Sequence, residues 1–582
     1  MIQLSSMFPN QEMLKARTGE LKSHRYTTAV DLFPLAAMNQ PTDGREPIVD
    51  VPEFVQELEL QKDDVFRGRD RYLWIQKTLR VPPPKEGCGI IGVFDFGLTG
   101  DGNNRGFESL MYIDGAPWQG VDGNHTEVSL DQFAGKIVEL TFLLWTGLEG
   151  GGPKKEQAHR LKQAEIAYLH LATDEFYYLS KAISETLGLV EDNVPQRHRM
   201  EQALLSAYNL IAWEEDRFGQ TVDAALATLK TELAAIPKLT DVTVSAVGHT
   251  HIDVAWLWRL KHTREKAIRS FSTVLRLMEE FDDYSFLQSQ PQLYRYVKRD
   301  CPALYERIKA AVKSGRWEAD GGMWVEADCN ISSGEALVRQ FTHGIRFFKQ
   351  EFGVDCEYLW LPDVFGYSWA LPQILKQCNI KTFMTTKISW NQYNSIPHDL
   401  FWWRGIDGSE VLTYFITTPG PDEAFDIRIS TYNGRVNPHA VIGSWTKFKD
   451  KQLSSETLLS YGYGDGGGGP NREMLEMRRV MDSLPCLPHV KPSRAGDFFR
   501  RIHDKVEAAQ GYVHTWDGEL YLEYHRGTYT SQGYSKMMNR RLEFLAARCE
   551  WLASLAWLNG QAYPQDSLYD AWECILLHQF HD

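Results

Sequence analysis

The sequence predicts a multidomain α/β protein: an N-terminal β-sandwich-like domain, a β/α domain on a mostly parallel sheet, and a C-terminal helical bundle. Three observations carry this. The chain has 582 residues, enough for about three to five domains of ordinary size. Short alternating segments separated by Gly and Asp turns fill residues 65–150, the rhythm of an all-β unit. From Asp241 to about residue 508, apolar strand-like runs alternate with helical stretches, which implies a parallel sheet covered by helices.

Residues 1–60 are polar and mixed, and read as short helices with one extended stretch. In the β-rich part, 72–81 alternates and 89–96 follows a Pro-rich turn. Residues 110–113 then run into the turn Asp114-Gly115, and 137–144 is an apolar run. The Gly-rich stretch 147–153 reads as a linker, so the first domain is set at 1–153. Residues 154–238 form a helical connecting segment, with Ala/Leu/Glu-rich stretches at 157–171 and 221–235. The β/α domain, 239–510, has candidate strands at 242–247, 284–288, 357–361, 380–386 and 457–461. Its candidate helices are 264–281, 334–351 and 471–483. The last domain, 511–582, is expected to be helical, with two long segments between 531 and 580.

Composition narrows the function. Hydrophobic residues at 43% and charged residues at 24% exclude a disordered chain, a collagen and a coiled-coil rod. A net charge of −15 argues against nucleic acid as a partner, because phosphate binding needs a positive surface. The 18 Trp fill cores for the most part, but they also suit clefts for sugar rings. Eight Cys without any C-x-x-C pair read as reduced core thiols, and not as a disulfide framework or zinc knuckle. With no signal-type apolar run at the start and no stretch of about 18 apolar residues, no membrane partner is expected and a cytoplasmic location is the default.

The chemistry should sit after the strands, where open parallel sheets bind ligands. His251 and Asp253 share parity at the end of the first β/α strand, so they can converge on one metal ion. His249 has the same parity, which leaves an H-x-H pair open, as well as a plain hydrogen-bonded His-Asp pair. Asp363 follows an apolar strand beside Pro362 and aromatics. It is either a cleft acid or an N-cap for a helix over 369–378. The loop 461–470 carries Asp465 among glycines. It lacks the Gly-Lys-Ser/Thr of a phosphate loop, so it is a spacer or a close-approach substrate loop. Asp517, Glu519, Tyr521 and Glu523 share parity, as a solvated strand edge or as the site of a general acid. At the end of the sequence, the apolar stretch 569–577 should dock His578, His581 and Asp582 against the body.

In order, H-x-D-x-x-W from His251, L-P-D-x-F-G around Asp363, Y-G-x-G-D-G-G-G-G-P around Asp465, L-E-x-H-R-G around Glu523 and H-Q-F-H-D at the end resemble the family 38 glycoside hydrolases. These are the class II α-mannosidases, and the likeness is to their cytosolic and bacterial branch. It runs from about residue 60 to the end and is strongest over 240–582. The resemblance implies one divalent ion per chain, zinc, with cobalt or another divalent ion as alternatives, held by His251, Asp253, Asp363 and His581. It makes Asp363 the nucleophile, sets Trp256 against the sugar ring, and brings Lys387 and Asp582 to the nucleophile and the sugar hydroxyls. Asp465 counts with the substrate-binding residues, and Glu523 is the first choice for acid/base, before Asp517 and Glu519.

The implied activity is retaining hydrolysis of α-mannosidic linkages in oligomannose or free oligosaccharides. The rival readings are an amidohydrolase-type metal hydrolase using His249 and His251, and a carbohydrate-binding protein with a dead site. Members of the family continue for several hundred residues beyond H-Q-F-H-D, mainly as β-sandwiches. The sequence stops at Asp582, so a missing C-terminal β-domain region is expected as a partner. Homo-oligomerisation stays open.

Overall fold

The structure is a computed structural model that describes residues 9–41, 44–99, 102–104, 106–148 and 157–582. Alternation along Tyr72–Arg80 organises its first layer. Leu73 and Ile75 face Phe94, Phe142 and Ile166 in one core. Tyr72 and Trp74 face the opposite way, into a second core with Tyr112 and Trp145. A period of two thus buries both faces of one strand. This strand is third in a six-stranded antiparallel sheet ordered Leu58–Leu60, Leu35–Gln40, Tyr72–Arg80, Ile137–Trp145, Glu108–Ile113, Ala116–Asp122. A four-stranded antiparallel sheet, ordered Tyr26–Asp31, Gln163–His170, Cys88–Asp95, Glu127–Ser129, supplies the facing residues. The expected turn at Asp114-Gly115 is present, with φ of 50° and 78°, the left-handed pair of a tight hairpin.

The helix expected at 157–171 is instead two strands, Ala158–Arg160 and Gln163–His170. Ala164 and Ile166 are buried while Gln163 and Glu165 are half-exposed. That period of two outweighed helix-favouring composition once the strand found partners on both sides. Of the expected linker 147–153, residues 149–153 lie outside the described residues. Helices Leu171–Leu187, Pro195–Asn209 and Glu215–Ala234 follow.

Next comes Thr243–His249, which pairs in parallel with Phe286–Leu287, Glu456–Tyr461 and His489–Pro492. Trp317–Glu318 extends the sheet beyond Phe286–Leu287. A second sheet runs Tyr358–Trp360, Thr382–Thr385, Glu410–Phe415, Leu400–Arg404, Thr515–Asp517. It is parallel apart from the hairpin Leu400–Arg404 with Glu410–Phe415. Helix Leu260–Glu280 joins this body to the antiparallel layer by packing on Ala116–Asp122. Gly120 permits the approach, since a Cβ there would lie 2.5 Å from Arg269 Cγ.

The two expected C-terminal helices are Gly533–Leu558 and Gln565–Leu577. The first turns Asn539, Glu543 and Ala546 inward and leaves Phe544, Trp551, Leu552, Trp557 and Leu558 exposed. No helix among the described residues is long and apolar enough to cross a membrane.

Candidate metal and catalytic centre

Three chain turns deliver four ligands to one point. Beyond the strand Thr243–His249 the chain becomes irregular, and His251 and Asp253 are both buried. Asp363 follows Tyr358–Trp360, three residues past the strand end. His581 arrives from beyond Gln565–Leu577, where Phe580 bridges to Ala327 and Asp328 N donates to the Gln579 carbonyl at 2.8 Å. One ligand atom from each of His251, Asp253, Asp363 and His581 lies within 4.8 Å of the others. His251 Nε2 is 2.9 Å from Asp253 Oδ1, and His581 Nε2 is 3.4 Å from Asp363 Oδ2.

Glu326, which sequence reasoning missed, fixes both imidazoles from behind. His251 Nδ1 donates to Glu326 Oε1 at 3.1 Å, and His581 Nδ1 donates to the Glu326 carbonyl at 2.7 Å. Each ring therefore turns Nε2 inward, the arrangement by which second partners orient metal-binding histidines. His581 Nε2 is buried and makes no well-aligned hydrogen bond, its nearest carboxylate oxygen being Asp363 Oδ2 at 3.4 Å, an arrangement that a shared cation would satisfy better than the weak contact does. Two imidazole nitrogens and two carboxylates converging on one point fit a divalent cation.

The charges agree. Burial would push the Asp363 carboxyl up, but Lys387, with Nζ donating to Oδ1 at 2.5 Å, and the two histidines hold it well below the usual carboxylate range. Burial alone would lower His251 and His581; instead Glu326 and Asp253 raise His251, and Asp363 and Asp582 push His581 up to about 9. Asp582 is exposed to solvent on one side, with the cluster on the other. Desolvation, with Asp253 and Asp363 nearby, pushes it up to about 7. Asp465 is raised by desolvation and by the same two carboxylates.

The remaining sequence candidates fall as follows. His249 is buried and accepts from Trp360 Nε1 at 3.2 Å, so it faces the core and is not among the four clustered ligands. Asp363 caps no helix, because the next helix is Leu371–Gln377 with Ala370 at its N-cap. Trp256 is 44% exposed and packs edge-on against Trp258, with ring centroids 5.8 Å apart. Asp465 accepts from Tyr432 and Asn433, two partners no sequence signal marked. Asp517 and Glu519 are exposed, and Asp517 accepts from Trp369 Nε1 at 3.2 Å. Glu523 is buried, with Oε1 accepting from Tyr393 N at 2.5 Å.

Residues 241–519 match the glycosyl hydrolases family 38 N-terminal domain, and residues 523–582 match the alpha mannosidase middle domain. The chain is 38% identical over 528 residues to alpha-mannosidase G of Dictyostelium discoideum, covering 88% of this chain and 46% of that protein. It is 37% identical over 492 residues to alpha-mannosidase 2C1 of Mus musculus, covering 82% and 46%. The chain thus spans about half the length of these curated relatives. Among solved structures, an alpha-mannosidase from Enterococcus faecalis V583 aligns with 58% of this chain and 38% of that one, at 20% identity and a TM-score of 0.48. The two domain matches follow one another across the residues that build the cluster, and on them the chain belongs to glycosyl hydrolase family 38.

Proposed function

We propose that this chain bears the active centre of a retaining α-mannosidase acting on mannose-containing oligosaccharides, with zinc at His251, Asp253, Asp363 and His581. The observation that supports it most is the coincidence of two roles on Asp363: it lines the four-ligand cluster and is held ionised by Lys387. An ionised carboxylate is what a glycosidic nucleophile must be. Zinc suits a set of two imidazoles and two carboxylates, and when bound it supplies Lewis-acid contacts to sugar hydroxyls.

The chain's own residues do the rest. Asp363 attacks the anomeric carbon as the bond to the leaving oxygen breaks. The leaving oxygen takes a proton from the acid/base carboxyl. Water then attacks the same carbon, gives its proton back to the acid/base, and frees Asp363. Two inversions give retention. Trp256 packs on the sugar ring, and Asp582 exchanges hydrogen bonds with its hydroxyls.

Two carboxyls compete for the acid/base role. Asp465 is favoured, because desolvation and the charges of Asp253 and Asp363 raise its carboxyl, the property a general acid needs near neutral pH. Glu523 is the second reading: His525, two residues on, packs against Phe365 with ring centroids 5.1 Å apart, which brings the segment alongside Asp363. Alanine at the true acid should cut turnover of poor leaving groups about 10²–10⁴-fold and spare dinitrophenyl mannoside, with azide restoring turnover. If only Glu523→Ala behaves so, the role is Glu523's; if neither α-mannoside is turned over by the parent protein, the glycosidase reading fails.

The expected domain limits at 153 and 510 shift, because Ala158–Arg160 and Gln163–His170 pair with the N-terminal strands and Thr515–Asp517 pairs with Leu400–Arg404. We read the N-terminal β unit as running to His170, a helical segment as 171–238, the β/α unit as 239–517 and the helical segment as 518–582. The exposed apolar face of Gly533–Leu558 suits a downstream β-rich region as partner. Eight free cysteines suit a cytoplasmic setting.

A further inference from the structure

The loop that carries Asp465 is gripped from outside its own sheet. Asp465 has φ 53°, and Gly466, Gly468 and Gly469 also have positive φ. Four successive glycines give a backbone little stiffness of its own. Loops of the N-terminal antiparallel layer supply it. Asn104 Nδ2 donates to the Asp465 carbonyl at 2.5 Å, and Asn124 Nδ2 donates to the Gly467 carbonyl at 2.9 Å. His125, held by Asp122 at 2.9 Å, donates through Nε2 to the Pro470 carbonyl at 3.0 Å. The grip is close: a Cβ on Gly467 would lie 2.8 Å from the Asn103 carbonyl oxygen.

The carboxyl of Asp465 is reached by the same layer. Oδ1 meets the Tyr432 hydroxyl at 2.6 Å. Oδ2 accepts from Asn433 Nδ2 at 3.0 Å and from Asn103 Nδ2 at 3.2 Å. An amide NH₂ can only donate, whereas a tyrosine hydroxyl can donate or accept. The oxygen that receives two amides is therefore a poor seat for a proton, and the oxygen facing tyrosine is a good one.

We propose that Asn103, reaching in from the N-terminal sandwich, is a positioning residue for the acid/base: with Asn433 it fixes Oδ2 of Asp465 as the proton-free oxygen and leaves Oδ1 to carry and transfer the proton. This rests on the reading of Asp465 as the acid/base. It makes the sandwich part of the catalytic machinery, and not only a neighbour of it.

The test compares kcat/KM on methyl α-mannoside, which needs a protonated leaving oxygen, with kcat/KM on dinitrophenyl α-mannoside, which does not. Asn103→Ala removes the donor, and Asn103→Asp keeps the shape without it. The ratio of the two constants in one sample is independent of how much protein is correctly folded. Both variants are expected to lower that ratio about 10-fold, the scale of one hydrogen bond to a charged group. Asp465→Ala, the benchmark, should lower it about 10²–10⁴-fold. An unchanged ratio in the Asn103 variants, whether both constants hold or both fall together, overturns the inference while leaving Asp465 its role. An unchanged ratio in Asp465→Ala overturns the acid/base reading and this inference with it.

Discussion

Glu326 offers the sharpest single perturbation, because one residue orients both imidazoles by different atoms. Its side chain accepts from His251 and its main chain accepts from His581. Glu326→Gln keeps an acceptor but removes the negative charge from a residue 1% exposed, against a histidine that is fully buried. Glu326→Ala removes the acceptor as well. In both variants the main-chain contact to His581 survives, so only one ligand is loosened. Loss of such an outer partner weakens metal affinity about 10–100-fold, or about 1.4–2.8 kcal/mol. Gln should sit near the lower figure, since a neutral acceptor still orients the ring, and Ala near the upper. Competition against a metal chelator at fixed pH measures this directly. If both variants bind the ion within about 2-fold of the parent, Glu326 does not orient His251 and the account of the site from behind is wrong.

Metal affinity should also depend on pH with a definite sign. In the absence of a cation the carboxylates keep protons on His581, up to about 9, and on His251, which is raised well above its ordinary value. An ion must displace those protons, so apparent affinity should rise with pH by about 10-fold per unit for each proton released, the part due to His581 levelling off above about pH 9. A flat profile below that pH would mean the imidazoles are not ligands. In the glycine loop, Gly468→Ala adds a Cβ 2.6 Å from the His125 ring at a φ of 99°. It should cost about 1–3 kcal/mol in stability and lower turnover with it. A melting temperature equal to the parent's would show that the sandwich does not grip this loop.

How much of this was legible beforehand depended on where the signal lay. The antiparallel strands announced themselves by alternation, as in Tyr72–Arg80, and the hairpin by Asp114-Gly115. Gln163–His170 did not, because its alternating residues sit within an Ala- and Leu-rich stretch that also suits a helix, and only pairing with two neighbours decides it. Trp317–Glu318 and Thr515–Asp517 are two and three residues long, too short for any period to show. The parity of His251 and Asp253 exposed one pair, but equally allowed His249. The choice lies in a tertiary contact, the hydrogen bond from Trp360. Glu326, Tyr432, Asn433 and Asn103 act through partners far away in sequence. No local pattern could mark them.

The central claim is that Asp363 both lines the cluster and attacks the sugar, and covalent trapping tests it most directly. The metal-loaded protein is incubated with a 5-fluoro mannosyl fluoride, which slows release of the glycosyl intermediate, and then digested and mapped by mass spectrometry. The account predicts one sugar per chain, carried as an ester on Asp363 in the segment Leu361-Pro362-Asp363-Val364-Phe365. A label on Glu523, Asp465 or another carboxylate would contradict it, as would turnover of the reagent with inversion and no label at all.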